Sequence, residues 1–219
     1  MADHNGPVVD VDIVSDVMCP WCIVGFRQLE QALAHVGAGA RVRWHPFELN
    51  PDMPPEGQNL TEHIAQKYGA SPEQSAQNRA HLQALGQSLG IDFVFSEDSR
   101  IVNTFAAHQV LDAALEQGLQ HPLKLALFRA HFTEQRDVSE IDVLLDLATE
   151  VGLDRDSTAD ILRTGSHAQS VREKQAFWTG HGIGGVPSMV FGGTYLTTGA
   201  QGAQAYANVL RKAIADKAA

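Results

Sequence analysis

The sequence predicts an α/β fold interrupted by an all-helical module, on three observations. A strand-like apolar run, a helical stretch and a second strand-like run follow one another before Asn50. From Asn59 to about Gly165 the pattern becomes almost wholly helical, with start and stop signals along it. After Ser166 the α/β pattern returns and includes two short runs joined by Gly192-Gly193, the signature of an antiparallel hairpin. These observations predict a discontinuous domain of residues 7–50 and 166–219, with a helical domain inserted at 51–165.

The first strand is Val8 to Val14, with Val9, Val11 and Ile13 on one face and Val8 and Val14 on the other. Asp10 and Asp12 point the second way. At least one is expected to be partly buried near the cysteines that follow, Asp10 being the ordinary solvated one. A helix then runs to about Val36, with Ile23, Phe26, Leu29, Ala32 and Leu33 on one face and Gly37 and Gly39 ending it. Arg41 to Leu49 reads as the second strand, which completes a βαβ unit. Pro51, Pro54, Pro55 and Gly57 break regular structure. Within the module, Asn59 caps a helix to Tyr68, and Ser71-Pro72-Glu73 opens one that stops near Gly90. Asn103 caps a helix through Glu116, another follows Pro122, and Ser139-Glu140 opens one that ends at Gly152. A short helix lies near Ser157 to Arg163. The returning segment predicts a helix to about Trp178, the hairpin, and a last helix from Gln201 to about Lys217.

The chemistry concentrates in Ser15-Asp16-Val17-Met18-Cys19-Pro20-Trp21-Cys22, which holds both cysteines of the chain. A Cys-x-x-Cys pair at a helix N-terminus meets unpaired amides and the positive end of the helix dipole, which favour a thiolate. Cys19 is therefore expected to be exposed, acidic and nucleophilic. Cys22, one turn further in, is placed to attack a mixed disulfide formed by Cys19. Pro20 suits an early helix position, where its missing N–H has no partner anyway. A structural zinc site needs four ligands, and the sequence supplies no second cysteine pair and no closely spaced histidines. A purely structural disulfide would close too short a loop to gain much. Redox activity is the preferred reading over either, and over two inert thiols.

The formal net charge of −10, without a basic block or stripe, argues against nucleic acid and anionic membranes. No apolar run is long enough to span a bilayer. Met1 to Pro7 lacks the basic and apolar regions of a secretory signal, so the expectation is a cytoplasmic protein. Val186-Pro187 lies at the mouth of the hairpin's first strand. A cis bond there would leave the Val186 backbone open to an extended peptide; a plain trans proline at a strand edge is the alternative.

The chain resembles the DsbA-type branch of the thioredoxin fold, and within it the FrnE-like proteins related to 2-hydroxychromene-2-carboxylate isomerase. Four stretches carry the resemblance: Ser15 to Cys22, Pro46 to Gly57, Asn103 to His108, and Gly182 to Pro187. The resemblance implies a thioredoxin fold with an inserted all-helical domain. It also implies Cys19 as nucleophile, Cys22 as resolving thiol, Pro187 as a cis-proline facing them, and Val186 on the substrate backbone. Pro20 and Trp21 would tune the redox potential, with Trp21 offering an aromatic surface. This chain departs from the periplasmic members in having Trp21 where they carry His and Ile13 where they carry Glu. Asp12 or Asp16 then becomes the candidate proton acceptor for Cys22. Related glutathione-dependent isomerases and transferases use Ser at the position of Cys19. Asn103 and His108 are candidates for substrate contact, although a helix cap and a packing histidine are the preferred readings.

The resulting expectation is a protein-disulfide oxidoreductase acting on disulfide- or dithiol-containing proteins or small thiols, with no metal and no nucleotide. The alternative is a glutathione-dependent isomerase or transferase of small aromatic or polyketide-like molecules, with glutathione as substrate or reductant. A third class is a chaperone-like module with a vestigial pair. The oligomeric state stays open, a homodimer among the options.

Overall fold

The computed structural model describes residues 6–218. Of the stretch Met1 to Pro7, read above as lacking a secretory signal, the first five residues lie outside that range. The chain divides into two compact units, one holding the residues up to Phe47 and from Arg172, the other Glu48–Val171.

The first unit begins with β1 (Val8–Ser15), α1 (Pro20–Val36) and β2 (Gly39–Pro46). β1 and β2 pair in parallel from Val8↔Gly39 to Ser15↔Pro46. The second strand thus starts two residues before the expected Arg41 and stops short of Leu49. Its end coincides with the end of β1, its partner in the ladder, and with Pro46, which has no N–H to donate. α1 ends at Gly37, whose φ of 66° is the left-handed conformation that glycine adopts freely. The unit closes with β5 (Ser188–Phe191), β6 (Tyr195–Thr198) and α9 (Ala203–Ala218). β5 runs antiparallel to β1, pairing Val11 with Phe191, so the sheet order is β2-β1-β5-β6. One sheet face is apolar. Val9, Val11, Ile13, Met189 and Phe191 are buried with Phe26 and Leu29 of α1 and Tyr206 and Leu210 of α9. Phe26 meets Trp44 at 5.3 Å between ring centres, which identifies the Ile13–Trp44 side of the sheet as the one facing α1.

The second unit is built of α2 (Leu60–Tyr68), α3 (Pro72–Ser88), α4 (Phe105–Glu116), α5 (Gln120–Phe132), α6 (Ile141–Glu150) and α7 (Arg155–Thr164). Its apolar interior includes Leu111, Leu123, Leu127, Phe128, Leu144 and Leu147. A two-residue ladder, β3 (Gln58–Asn59) with β4 (Arg100–Ile101), was not expected, because so short a pair has no readable periodicity. α5 begins at Gln120, so Pro122 lies inside the first turn rather than ahead of it. That turn tolerates proline because its amides have no partner within the helix. α8 (Ala168–Gly180) spans the boundary between the two stretches of chain. α9 starts after Gly202, not at Gln201, because Gly202 has a φ of 90°.

Candidate functional site

The parallel pairing of β1 and β2 brings the chain to Ser15 at the carboxyl edge of the sheet, and α1 starts at Pro20, just beyond it. Cys19 is the N-cap of α1, with extended backbone (φ −91°, ψ 109°), and Pro20 opens the helix. No side chain caps this end, and its first turn carries no acidic residue. The Cys19 amide donates to Asp16 O at 3.3 Å, and the Cys22 amide to Cys19 O at 3.0 Å. Cys19 and Cys22 are not joined by a disulfide.

Opposite them stands the turn before β5. The Val186–Pro187 peptide bond is cis. The Cys19 thiol donates to Val186 O at 3.7 Å. Pro187 is buried and Val186 half-buried, and among the described residues the Val186 amide has no hydrogen-bond partner. The structure thus brings Cys19, Pro20, Trp21, Cys22, Val186 and Pro187 together on one unit. Trp21 is 40% exposed, an indole left open to solvent next to a buried sulfur.

Cys19 itself corrects the sequence expectation. It is buried, at 3% exposure, and its thiol is pushed well above its ordinary range. The hydrogen bond with Cys22 is the main cause, followed by burial and the charges of Cys22 and Asp16, while the Cys22 amide pulls the other way. The Cys22 amide favours the thiolate, but a second thiol in hydrogen-bonding contact and loss of water outweigh it. The sequence shows a cysteine's place on a helix and cannot show the turn, 167 residues away, that covers it.

The two carboxylates proposed as proton acceptors separate cleanly. Asp16 is buried, accepts from the Met18 amide at 3.3 Å, and acts on Cys19 through its charge. Asp12 is on the opposite face of β1 from Ile13, away from α1, because strand residues alternate. There it lies 2.7 Å from His45 Nε2, with the Trp178 ring 4.7 Å from the imidazole. Asp12 is therefore corrected from a partner of the cysteines to a partner of His45. Asp10 pairs with Arg41 on the exposed surface, and the Arg41 hydrogen bond holds its carboxyl below the ordinary value. Asn103 and His108 belong to the second unit. Asn103 Oδ1 accepts from the Phe105 amide at 2.9 Å and its Nδ2 donates to Met53 O at 3.0 Å. The N-cap of α4 is Thr104 rather than Asn103, and Asn103 forms a turn one residue earlier. His108 is buried on α4 at 3% exposure, as a packing histidine would be.

Sequence reasoning missed Tyr206 and Gly25. Tyr206 is fully buried, and its hydroxyl donates to Gly199 O at 2.9 Å. Burial is the first cause that pushes that phenol up to about 12, and the charge of Cys22 adds to it. Neither residue carries a motif; both act only through the fold. Among the described residues no cluster of His, Cys, Asp or Glu could hold a metal ion, and no helix is long and apolar enough to cross a membrane.

This chain is 32% identical to a protein described as a probable DsbA oxidoreductase from Streptomyces coelicolor, over 94% of this chain and 89% of that one, with a TM-score of 0.87. It is 30% identical over 211 residues to the uncharacterized protein YwbO of Bacillus subtilis, covering 95% of this chain and 97% of YwbO. It shares the fold of the cytosolic disulfide reductase DsbM of Pseudomonas aeruginosa, solved with GSH, at 20% identity and a TM-score of 0.58, over 93% of this chain and 98% of that one. A family model, the DSBA-like thioredoxin domain, matches residues 10–211. With a cysteine pair at the head of α1 and a proline turn against it, on a sheet interrupted by a helical unit, the chain belongs to the DsbA-like thioredoxin domain family.

Proposed function

We propose that the protein is a thiol:disulfide oxidoreductase that uses the Cys19-Pro20-Trp21-Cys22 pair, working in the cytoplasm and in the reducing direction. The observation that carries this reading is the Cys19 sulfur set 3.7 Å from the Val186 carbonyl, with Cys22 one helical turn behind it. A substrate strand that pairs with the Val186 backbone would bring its disulfide to Cys19. As thiolate, Cys19 attacks one sulfur of that disulfide, and the other sulfur leaves as a thiolate that takes up a proton. Cys22 then loses its proton and attacks Cys19 Sγ. The substrate leaves as a dithiol, and Cys19–Cys22 becomes a disulfide. Asp16, buried and within reach of the pair's charge, is the carboxylate we assign to proton handling.

The surroundings of Cys19 support that direction. A strong oxidant in this chemistry owes its potential to a stabilised reduced form, with a thiolate at low pKa. Cys19 is buried, the charge of Asp16 disfavours its thiolate, and Trp21 supplies no charge to compensate. The test is the equilibrium of the pair in glutathione buffers, read by Trp21 fluorescence with Cys19→Ser as control. The expected midpoint lies in the reducing part of the range, roughly −270 to −200 mV. A midpoint near that of strong oxidants, about −120 mV, would reverse the direction. No transition at all would end the redox reading.

The open Val186 amide also suits the backbone of glutathione, which favours a second reading as a glutathione-dependent isomerase or transferase. Saturable glutathione binding that survives Cys22→Ser, without disulfide turnover, would select it.

A further inference from the structure

A Cβ placed on Gly25 would stand 3.2 Å from Pro187 Cγ, 3.3 Å from Met189 Cε and 3.3 Å from the Tyr206 hydroxyl. Gly25 is buried in the second turn of α1, just after Cys22, so its missing side chain rather than its backbone is what the fold uses. Three elements converge on that bare helix surface: the turn before β5, β5 itself, and α9.

We propose that Gly25 and the Tyr206 hydroxyl are positioning residues that set the distance between the Val186–Pro187 turn and the Cys19 sulfur. The Met189 methyl is the end of a flexible side chain and could swing aside. Pro187 and Tyr206 are not free to do so, because both are tied to Gly199. The Gly199 amide donates to Pro187 O at 2.7 Å, and the Tyr206 hydroxyl donates to Gly199 O at 2.9 Å. The same segment is fastened to α1 where the Gly202 amide donates to Gln28 Oε1 at 2.9 Å. A path of short contacts therefore leads from Gly25 through Pro187 to the carbonyl that accepts the Cys19 proton, and a parallel one leads through Tyr206 and Gly199. A methyl group at position 25 has to move the turn outward by a few tenths of an ångström. That weakens the acceptor at Cys19 and displaces the Val186 backbone from its place beside the sulfur. The consequence for turnover rests on the disulfide-exchange reading above; the consequence for the Cys19 thiol does not.

The test uses full-length Gly25→Ala and Tyr206→Phe, each alone and combined. Two readouts are compared: the pH profile of Cys19 alkylation by iodoacetamide in a Cys22→Ser background, and kcat/KM for insulin disulfide reduction with Cys22 present. Thermal melts confirm that both are measured well below unfolding. In Gly25→Ala the alkylation profile moves to lower pH, as the thiol loses its acceptor, while kcat/KM falls by about tenfold. Tyr206→Phe retains the ring against Phe191, 5.9 Å away, and moves both readouts the same way by a smaller factor. The double variant does no more than Gly25→Ala, because both substitutions act through one turn. Two folded variants with profiles superimposable on the parent would overturn the proposal. If Gly25→Ala does not fold, Tyr206→Phe decides alone. Profile shifts in a protein whose parent form reduces no disulfide would support the positioning and overturn the exchange reading instead.

Discussion

The head of α1, in the first unit, contrasts with three helix starts of the second. At the starts of α2, α3 and α7 side chains take up the free amides, whereas α4, α5 and α6 carry no side-chain cap. Asn59 accepts from Thr61 and Glu62 at the head of α2, and Asp154 from Ser157 at the head of α7. Ser71 and Gln74 form a reciprocal capping box on α3. α1 begins with the same proline entry as α3, Pro20 against Pro72, yet its N-cap position holds a cysteine that makes no cap. The cap position that a hydroxyl fills in α3 is filled in α1 by a sulfur, whose thiolate the Cys22 amide favours. In α2, α3 and α7 the helix end serves stability; at the head of α1 it is left to a sulfur.

Exchanging the capping chemistry gives the largest expected effect. Cys19→Ser places a good capping residue on α1, so disulfide exchange is abolished while stability holds or rises by up to about 1 kcal/mol. Insulin turnover and a urea melt on the same sample check both halves. A marked loss of stability would mean that Cys19 is a packing residue first. Asp16→Asn comes next. Its carboxylate raises the Cys19 pKa, so removing the charge favours the thiolate, and alkylation of Cys19 at neutral pH speeds up by about threefold. An unchanged rate would detach Asp16 from the pair. Ser71→Ala removes the capping box of α3 and costs about 1 kcal/mol in a denaturant melt, with the Cys19–Cys22 midpoint unmoved. The smallest effect is one of pH. His63 on α2 is held below its ordinary 6.5, first by burial and then by Lys67. The unfolded chain therefore takes up that proton more readily. This contribution to stability is complete above 6.5 and is lost as pH falls through the lowered folded value. His63→Gln should flatten that part of the melting-temperature profile between about pH 7 and pH 5.

What could be read from the sequence was local. Cys-Pro-Trp-Cys after an apolar run, Gly192-Gly193 between two short strands, and Asn59 and Ser71 at helix starts are each decided by neighbours within a few residues, and the structure has them in those roles. Beyond shifts of a residue or two at helix starts, the misreadings depended on distant partners. The burial of Cys19 needs Val186, the end of β2 needs the end of β1, and the separation of Asp12 from the cysteines needs the face that α1 covers. Gly25 reads as an ordinary, mildly unfavourable helix glycine until Pro187 and Tyr206 are seen against it. His45 was passed over because its partner sits on a neighbouring strand, 33 residues earlier.

The pairing of Val11 with Phe191 has a consequence for synthesis. The ribosome delivers β1, α1 and β2 first, then the whole contiguous stretch Glu48–Val171, and only then the strand that joins β1 on its other side. Throughout that interval the nascent chain carries Cys19 and Cys22 without Val186, Pro187 or Tyr206 to enclose them. Loop closure over so long a separation comes late, and domains otherwise form in the order they emerge. The period of translation is thus when this cysteine pair is most open to stray oxidants and to wrong partners.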